Sequence, residues 1–234
     1  ENLQIDDELK KPPQIDDDLI VAHSNTKFPK SVILIVADGA GIGQYTLSYY
    51  ANDNYAPKRF QHVGLVMTHP DDDLKKVTDS ASSGTAMATG IKTYNGAISV
   101  DHNGKALKTV IEIAGELGMS TGVIATSTVT HATPASFVAH IDYRKKEGEI
   151  ARQMASADID IIFGGGAEFW TPEIISLVEQ NNGQYITSLD EPFNPDRRIV
   201  GLFNDGPLPP HNEERSPTTT EMTEKALGIL SKNS

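Results

Sequence analysis

The chain has 234 residues, 32 acidic against 20 basic side chains, a formal charge of -12 and no cysteine. That length fits one large domain or two small ones, and the acidic balance argues against nucleic acid as a binding partner, because phosphate backbones are met by clustered Lys and Arg. Without cysteine there is no disulfide, thiolate zinc site or thiol nucleophile, and no run of about 18 apolar residues spans a membrane.

Residues 1–27 read as an N-terminal arm. They are acidic, carry a short echo (Gln4 to Leu9 against Gln14 to Leu19) around Pro12-Pro13, and show no basic and apolar regions of a signal peptide. The body, residues 28–234, opens at Phe28-Pro29-Lys30. The continuous apolar run Ser31 to Ala37 predicts a buried parallel strand. Further strands are expected at His62–Thr68, Thr121–Thr126, Ile159–Phe163 and Ile199–Phe203. Helical periodicity predicts helices over Lys105–Leu117, Glu147–Ala155, Pro172–Gln180 and 218–232. Alternating strand and helix is the pattern of an α/β fold, a mainly parallel central sheet with helices on both faces.

Three stretches carry candidate chemistry. Asp38, in VADGAGIGQ, follows the first strand and so reaches the carboxyl edge, where open α/β sheets bind ligands. Its glycines lack the G-x-G-x-x-G spacing, and a carboxylate there would repel a pyrophosphate. A cation suits it better, although Asp38 can equally open a turn. Ser80, in VTDSASSGTA, stands where a helix begins, at the positive end of the helix dipole. There Asp79 or Ser80 can also be simply an N-cap. No G-x-S-x-G elbow is present, so a nucleophilic Ser80 calls for activation other than by a histidine base, such as a metal ion. In TSTVTHATPA, His131 and Thr133 offer nitrogen and oxygen donors two residues apart. Arg144 follows, with a fork that fits phosphate bidentately, whereas Lys145 and Lys146 read as a solvated helix end.

The segments VADGAGIGQ (36–44), VTDSASSGTAMATGIKTYNGAISVD (77–101), ATSTVTHATPASFVAH (125–140) and the Gly164-Gly165-Gly166 turn resemble bacterial alkaline phosphatase over about residues 28–234. The resemblance implies hydrolysis of phosphate monoesters by two Zn2+ ions and one Mg2+. Ser80 is then the nucleophile forming a phosphoserine, Arg144 clamps two phosphate oxygens, and Asp79 orients Arg144. Asp38 is a carboxylate shared between zinc and magnesium sites, and Thr133 is a magnesium ligand. His131 takes a place held by aspartate in some members, which bears on the third metal. The resemblance also implies a homodimer and a periplasmic or secreted location.

The remaining histidines (His23, His62, His69, His102, His140 and His211) form no H-x-x-x-H or D-x-x-x-H pattern. The later ligands of the family do not occur in this sequence. The chain therefore reads as an N-terminal portion that is inactive and poorly stable alone and needs the C-terminal half of the same protein. Two competing expectations are a non-catalytic anion- or metal-binding fragment and a phosphodiesterase or sulfatase relative. The C-x-P-x-R and S-x-P-x-R motifs of the sulfatases are absent.

Overall fold

The computed structural model describes residues 30–210 and 215–231. The arm expected over residues 1–27 lies outside them. The chain divides into two units, Glu1–Ile35 and Val36–Ser234. In the first, the described residues Lys30 to Ile35 are exposed and form no strand.

The second unit is built on four parallel strands, β1 (Gly122–Thr128), β2 (Ile161–Gly165), β3 (Gly183–Ile186) and β4 (Arg198–Leu202), in the order β1-β2-β4-β3. Strand β2 is buried along its whole length, so its apolar run has to satisfy both faces of the sheet. Alternation divides the work. Ile161 and Phe163 point into a cluster with Ile186, Ile199, Leu208, Met222 and Ala226. Ile162 points the other way, into a larger cluster with Val200, Ile150, Met154, Ile174 and Val178.

The helices that supply these side chains are α5 (Glu147–Ser156) and α6 (Pro172–Gln180) on one face and α7 (Thr219–Leu230) on the other. The expectation of a mainly parallel sheet with helices on both faces is met. Helices α2 (Ser80–Thr89) and α3 (Val110–Glu116) precede β1, the short α4 (Ala132–Ala135) follows it, and α1 (Ile42–Ala51) comes before them all.

Several boundaries differ from those read in the sequence. Helix α3 is shorter than the expected Lys105–Leu117 because a capping box starts it. Thr109 Oγ1 accepts from the Glu112 N–H at 3.2 Å, and Glu112 Oε2 accepts from the Thr109 N–H at 2.7 Å. Strand β3 was not anticipated, since GQYI is too short to show a period. Neither Ser31–Ala37 nor His62–Thr68 is a strand. A strand needs a ladder partner on at least one edge, and among the described residues neither run has one. Val63, Leu65 and Val66 stand almost fully in solvent. Helix α1 buries none of its residues.

The β1–β2 pair is packed tightly at Gly164. A Cβ there would lie 2.7 Å from the Ala125 carbonyl oxygen and 2.8 Å from Val129 Cγ1. Backbone cannot yield as a flexible side chain does. We therefore expect Gly164→Ala to lower the unfolding free energy by about 1–3 kcal/mol, read as a reduced urea midpoint, while an exposed control such as Gly148→Ala changes it far less.

Candidate active site

The site grows from the start of α2. A helix leaves its first N–H groups without internal partners. Asp79 is the N-cap, and its Oδ1 accepts from the Ser82 N–H at 2.9 Å and from Ser82 Oγ at 3.1 Å. Ser80 is therefore the first helical residue, with its hydroxyl at the positive end of α2. Ser80 Oγ donates to Asp38 Oδ1 at 3.3 Å. The other Asp38 oxygen accepts from Thr133 Oγ1 at 2.7 Å. Three segments separated by dozens of residues thus meet in one oxygen-rich cluster.

Each segment reaches that point for a local reason. Asp38 sits in a turn closed by the Ala40 N–H donating to the Ala37 carbonyl at 3.1 Å, with Gly39 at φ +76°. Glycine takes this left-handed conformation without the steric cost other residues meet. Both readings of Asp38 thus hold: it opens a turn, and its carboxylate faces the other donors. Thr133 lies in α4, directly past the carboxyl end of β1. The loop between them is held by Glu147, whose Oε2 accepts from Thr128 Oγ1 at 3.1 Å and from Thr130 Oγ1 at 2.6 Å. Sequence reading did not single out Glu147. Its acidic place in the first turn of α5 looked like ordinary dipole compensation.

A second cluster adjoins the first. Arg144 Nη1 donates to Asp79 Oδ2 at 3.2 Å, and both side chains are largely sheltered from solvent. Arg144 Nη2 lies 2.9 Å from His131 Nε2. A guanidinium can only donate, so this ring nitrogen accepts and the ring proton sits on Nδ1. In this arrangement the Nε2 lone pair is engaged by Arg144 and Nδ1 carries the proton, so a cation would bind His131 only by displacing the Arg144 contact or the Nδ1 proton. Asp38, Asp79, Ser80, His131, Thr133 and Arg144, all expected at the site from the sequence, are thus brought together in two linked clusters.

His140 lies apart from these clusters. Its Nδ1 faces the Ser99 carbonyl at 2.9 Å and its Nε2 faces Glu112 Oε1 at 3.0 Å. Lys146 is paired with Asp142 at 2.7 Å on the surface, as a solvated helix end should be. Sequence reading also missed the side chain of Asn95. Asn-Gly is a turn signal, and nothing in that signal announces a side chain that reaches back to residues 77–82.

The donor chemistry can be tested against the metals the resemblance implies. Asp38 and Thr133 present carboxylate and hydroxyl oxygens, which suit a hard cation such as Mg2+. Asp38 Oδ1 and Ser80 Oγ converge as two oxygen donors, short of the three protein ligands of a catalytic zinc. Among the described residues no group of three or more His, Asp or Glu side chains converges. The residues present fit a part of each ligand set.

Burial pushes the Asp79 carboxyl up, but donation from the Ser82 N–H, the Arg144 guanidinium, the Gly96 N–H and the Ser82 hydroxyl outweighs it and holds the group below its ordinary value of 3.8. A depressed folded value stabilises the fold at pH above 3.8, and this contribution is lost as pH falls through the lowered value. We expect Asp79→Asn, which keeps a capping oxygen but loses the ion pair, to lower stability at pH 7 by about 1–2 kcal/mol. Its stability should also fall less steeply below pH 3.8 than that of the parent in acid titrations of unfolding.

No helix among the described residues is long and apolar enough to cross a membrane. The profile of the alkaline phosphatase family matches residues 29–234. Alkaline phosphatase 4 of Bacillus subtilis is 37% identical over 225 residues, covering 87% of this chain and 49% of that protein. Alkaline phosphatase of Escherichia coli is 28% identical over 271 residues. The solved structure of alkaline phosphatase from the Antarctic bacterium TAB5 superposes with a TM-score of 0.81 at 36% identity, covering 88% of this chain and 62% of that one. A histidine-to-aspartate variant of the same enzyme, with Mg bound in its M3 site, superposes at 0.80. The chain spans about half the length of the curated relatives it matches. On the family profile, the identities and the shared fold, this chain belongs to the alkaline phosphatase family.

Proposed function

We propose that this chain is the N-terminal part of a metal-dependent phosphomonoesterase that transfers the phosphoryl group to Ser80 and then to water. The observation that carries the reading is the meeting of Ser80 Oγ, Asp38 and Thr133 beside an Asp79-anchored Arg144. Ser80 attacks phosphorus, the P–O bond to the leaving alcohol breaks, and a phosphoserine forms. Water then attacks that phosphorus, the bond to Ser80 Oγ breaks, and inorganic phosphate leaves. The start of α2 places N–H groups and a positive dipole end behind Ser80, where they favour the anion. Arg144 supplies donors in a fixed fork to two phosphate oxygens, and Asp79 fixes the plane of that fork.

Two Zn2+ ions and one Mg2+ complete this reading. When bound, they would supply Lewis-acid charge that favours ionisation of the Ser80 hydroxyl and stabilises charge in the phosphoryl transfer. Asp38, Ser80, Thr133 and His131 are the donors this chain offers them. The further ligands belong, in this reading, to a C-terminal portion of the same protein, and the complete enzyme is an exported homodimer acting on small phosphomonoesters in the periplasm or outside the cell. The shortage of converging His, Asp and Glu side chains favours a second reading for the isolated chain, a non-catalytic anion- or metal-binding fragment.

Turnover of p-nitrophenyl phosphate by the complete parent protein, abolished by chelator and restored by Zn2+ with Mg2+, is expected. The 234-residue chain should be inactive under the same conditions. Brief incubation with radiolabelled phosphate at acid pH should label the complete protein, and Ser80→Ala should remove the label. Retained label in Ser80→Ala would exclude Ser80 as the nucleophile. Arg144→Ala should weaken phosphate inhibition by about tenfold or more, the loss of one charge-assisted bidentate contact.

A further inference from the structure

We infer that Asn95 is a positioning residue that holds the start of α2 and, through its neighbour Gly96, the backbone of Arg144 in one register. The inference rests on the reading of Ser80 as nucleophile and adds to it a residue that touches no reacting atom. Asn95 Oδ1 accepts from the Asp79 N–H at 3.0 Å and, at 2.7 Å, shares the single Ser82 hydroxyl proton with Asp79 Oδ1. Its Nδ2 donates to the Val77 carbonyl at 2.9 Å. These partners bracket Ser80 on both sides in sequence, so one planar amide fixes the chain entering the helix and the first turn of the helix itself.

The adjacent residue completes the link. The Gly96 carbonyl accepts from the Arg144 N–H at 2.8 Å. Gly96 has φ +94°, and a Cβ there would meet Tyr143 Cδ2 at 3.0 Å. Two residues on, the isolated bridge between Ile98 and Ile141 ties the same loop to the segment leading to Arg144. Asp79 and Arg144 therefore meet twice: directly through their side chains, and indirectly through the Asn95 amide and the Gly96 carbonyl. The second route fixes where the guanidinium starts from, and the first fixes where it ends.

The chemistry requires an amide. The position needs an acceptor for an N–H and a hydroxyl and a donor for a carbonyl, all on one short planar group, which asparagine offers. Aspartate has the same size but no donor for the Val77 carbonyl, and it adds a second negative charge beside Asp79. Alanine removes all three bonds.

The test compares Asn95→Asp and Asn95→Ala with Ser80→Ala in the complete parent enzyme, using p-nitrophenyl phosphate, with urea unfolding of each variant. Both Asn95 variants should lower kcat by about 100-fold, the effect of small misplacement of reacting groups, while KM moves by less than about fivefold, since productive placement rather than ground-state binding is lost. Amide hydrogen exchange should speed up at Asp79 in Asn95→Ala, a change that loss of activity alone does not produce. Wild-type kcat in both variants would overturn the inference, as would collapse of both to unfolded chains, which would make the role purely structural. If Ser80→Ala remains active, the nucleophile assignment fails instead. If Ser80→Ala is inactive and the Asn95 variants are not, only the present inference fails.

Discussion

The Asp79 carboxylate has two oxygens, and each fixes a different part of the site. Oδ1 ends the helix ladder of α2 by taking the Ser82 N–H, which decides that Ser80 is the first helical residue. Oδ2 takes Arg144 from a segment 65 residues away. Neither bond could be exchanged for the other. A cap without the second oxygen would start the helix in the right place with nothing to set the guanidinium, and an ion pair without the cap would leave the helix start to fray. The carboxylate stays ionised although burial opposes it, because four donors surround it. That balance is why a partly buried charge is tolerable here.

Close packing follows from the same place. Helix α2 is made of small residues, and Ala81, Ser82, Gly84, Thr85 and Ala88 are buried. A Cβ on Gly84 would meet Ser136 Oγ at 2.8 Å and the Thr133 Cα at 3.5 Å. The backbones of α2 and α4 can approach only because no larger side chain separates them, and Thr133 arrives beside Asp38 as a result. The small-residue stretch is thus a spacing device: it brings a hydroxyl from one helix to the carboxylate that the other helix's serine already touches.

What the sequence made legible was the part governed by local patterns. The β2 run IIF had to be a two-faced buried strand, and Pro172 with the apolar spacing of Ile174 and Val178 had to begin a helix. The candidate site was legible as a cluster where residue type and place combine: Asp38 after an apolar run, Ser80 at a helix start, Arg144 beyond a His/Thr pair. Asn95 and Glu147 were not, because their work is done by side chains reaching residues 13 to 19 positions away. No periodicity encodes such reach. The runs at 31–37 and 62–68 failed for a different reason. Their apolar character is a correct statement about what they can bury, but strand formation also requires a partner edge, and that is a property of the whole sheet.

Preorganisation is therefore unequal across the site. Ser80, Asp79, Arg144, His131 and Thr133 hang on the capped start of α2, a packed α2–α4 contact and a hydrogen-bonded loop. Asp38 stands in a turn whose flanking residues, Val36 and Ile42, are exposed, and among the described residues its side chain is held by two hydroxyl donors. A carboxylate held so lightly keeps both oxygens adaptable. Those two hydroxyls are also the groups that a hard cation would draw together with it, since a cation replaces a hydroxyl-to-carboxylate hydrogen bond by coordinating both oxygens. In the proposed reading, the side of the site that would meet an anion, with its helix start and arginine, is set by the fold of this chain. The side that would meet a cation depends on a donor whose own backbone support lies in the least buried segment described, so it is the side where binding and ordering would be most strongly coupled.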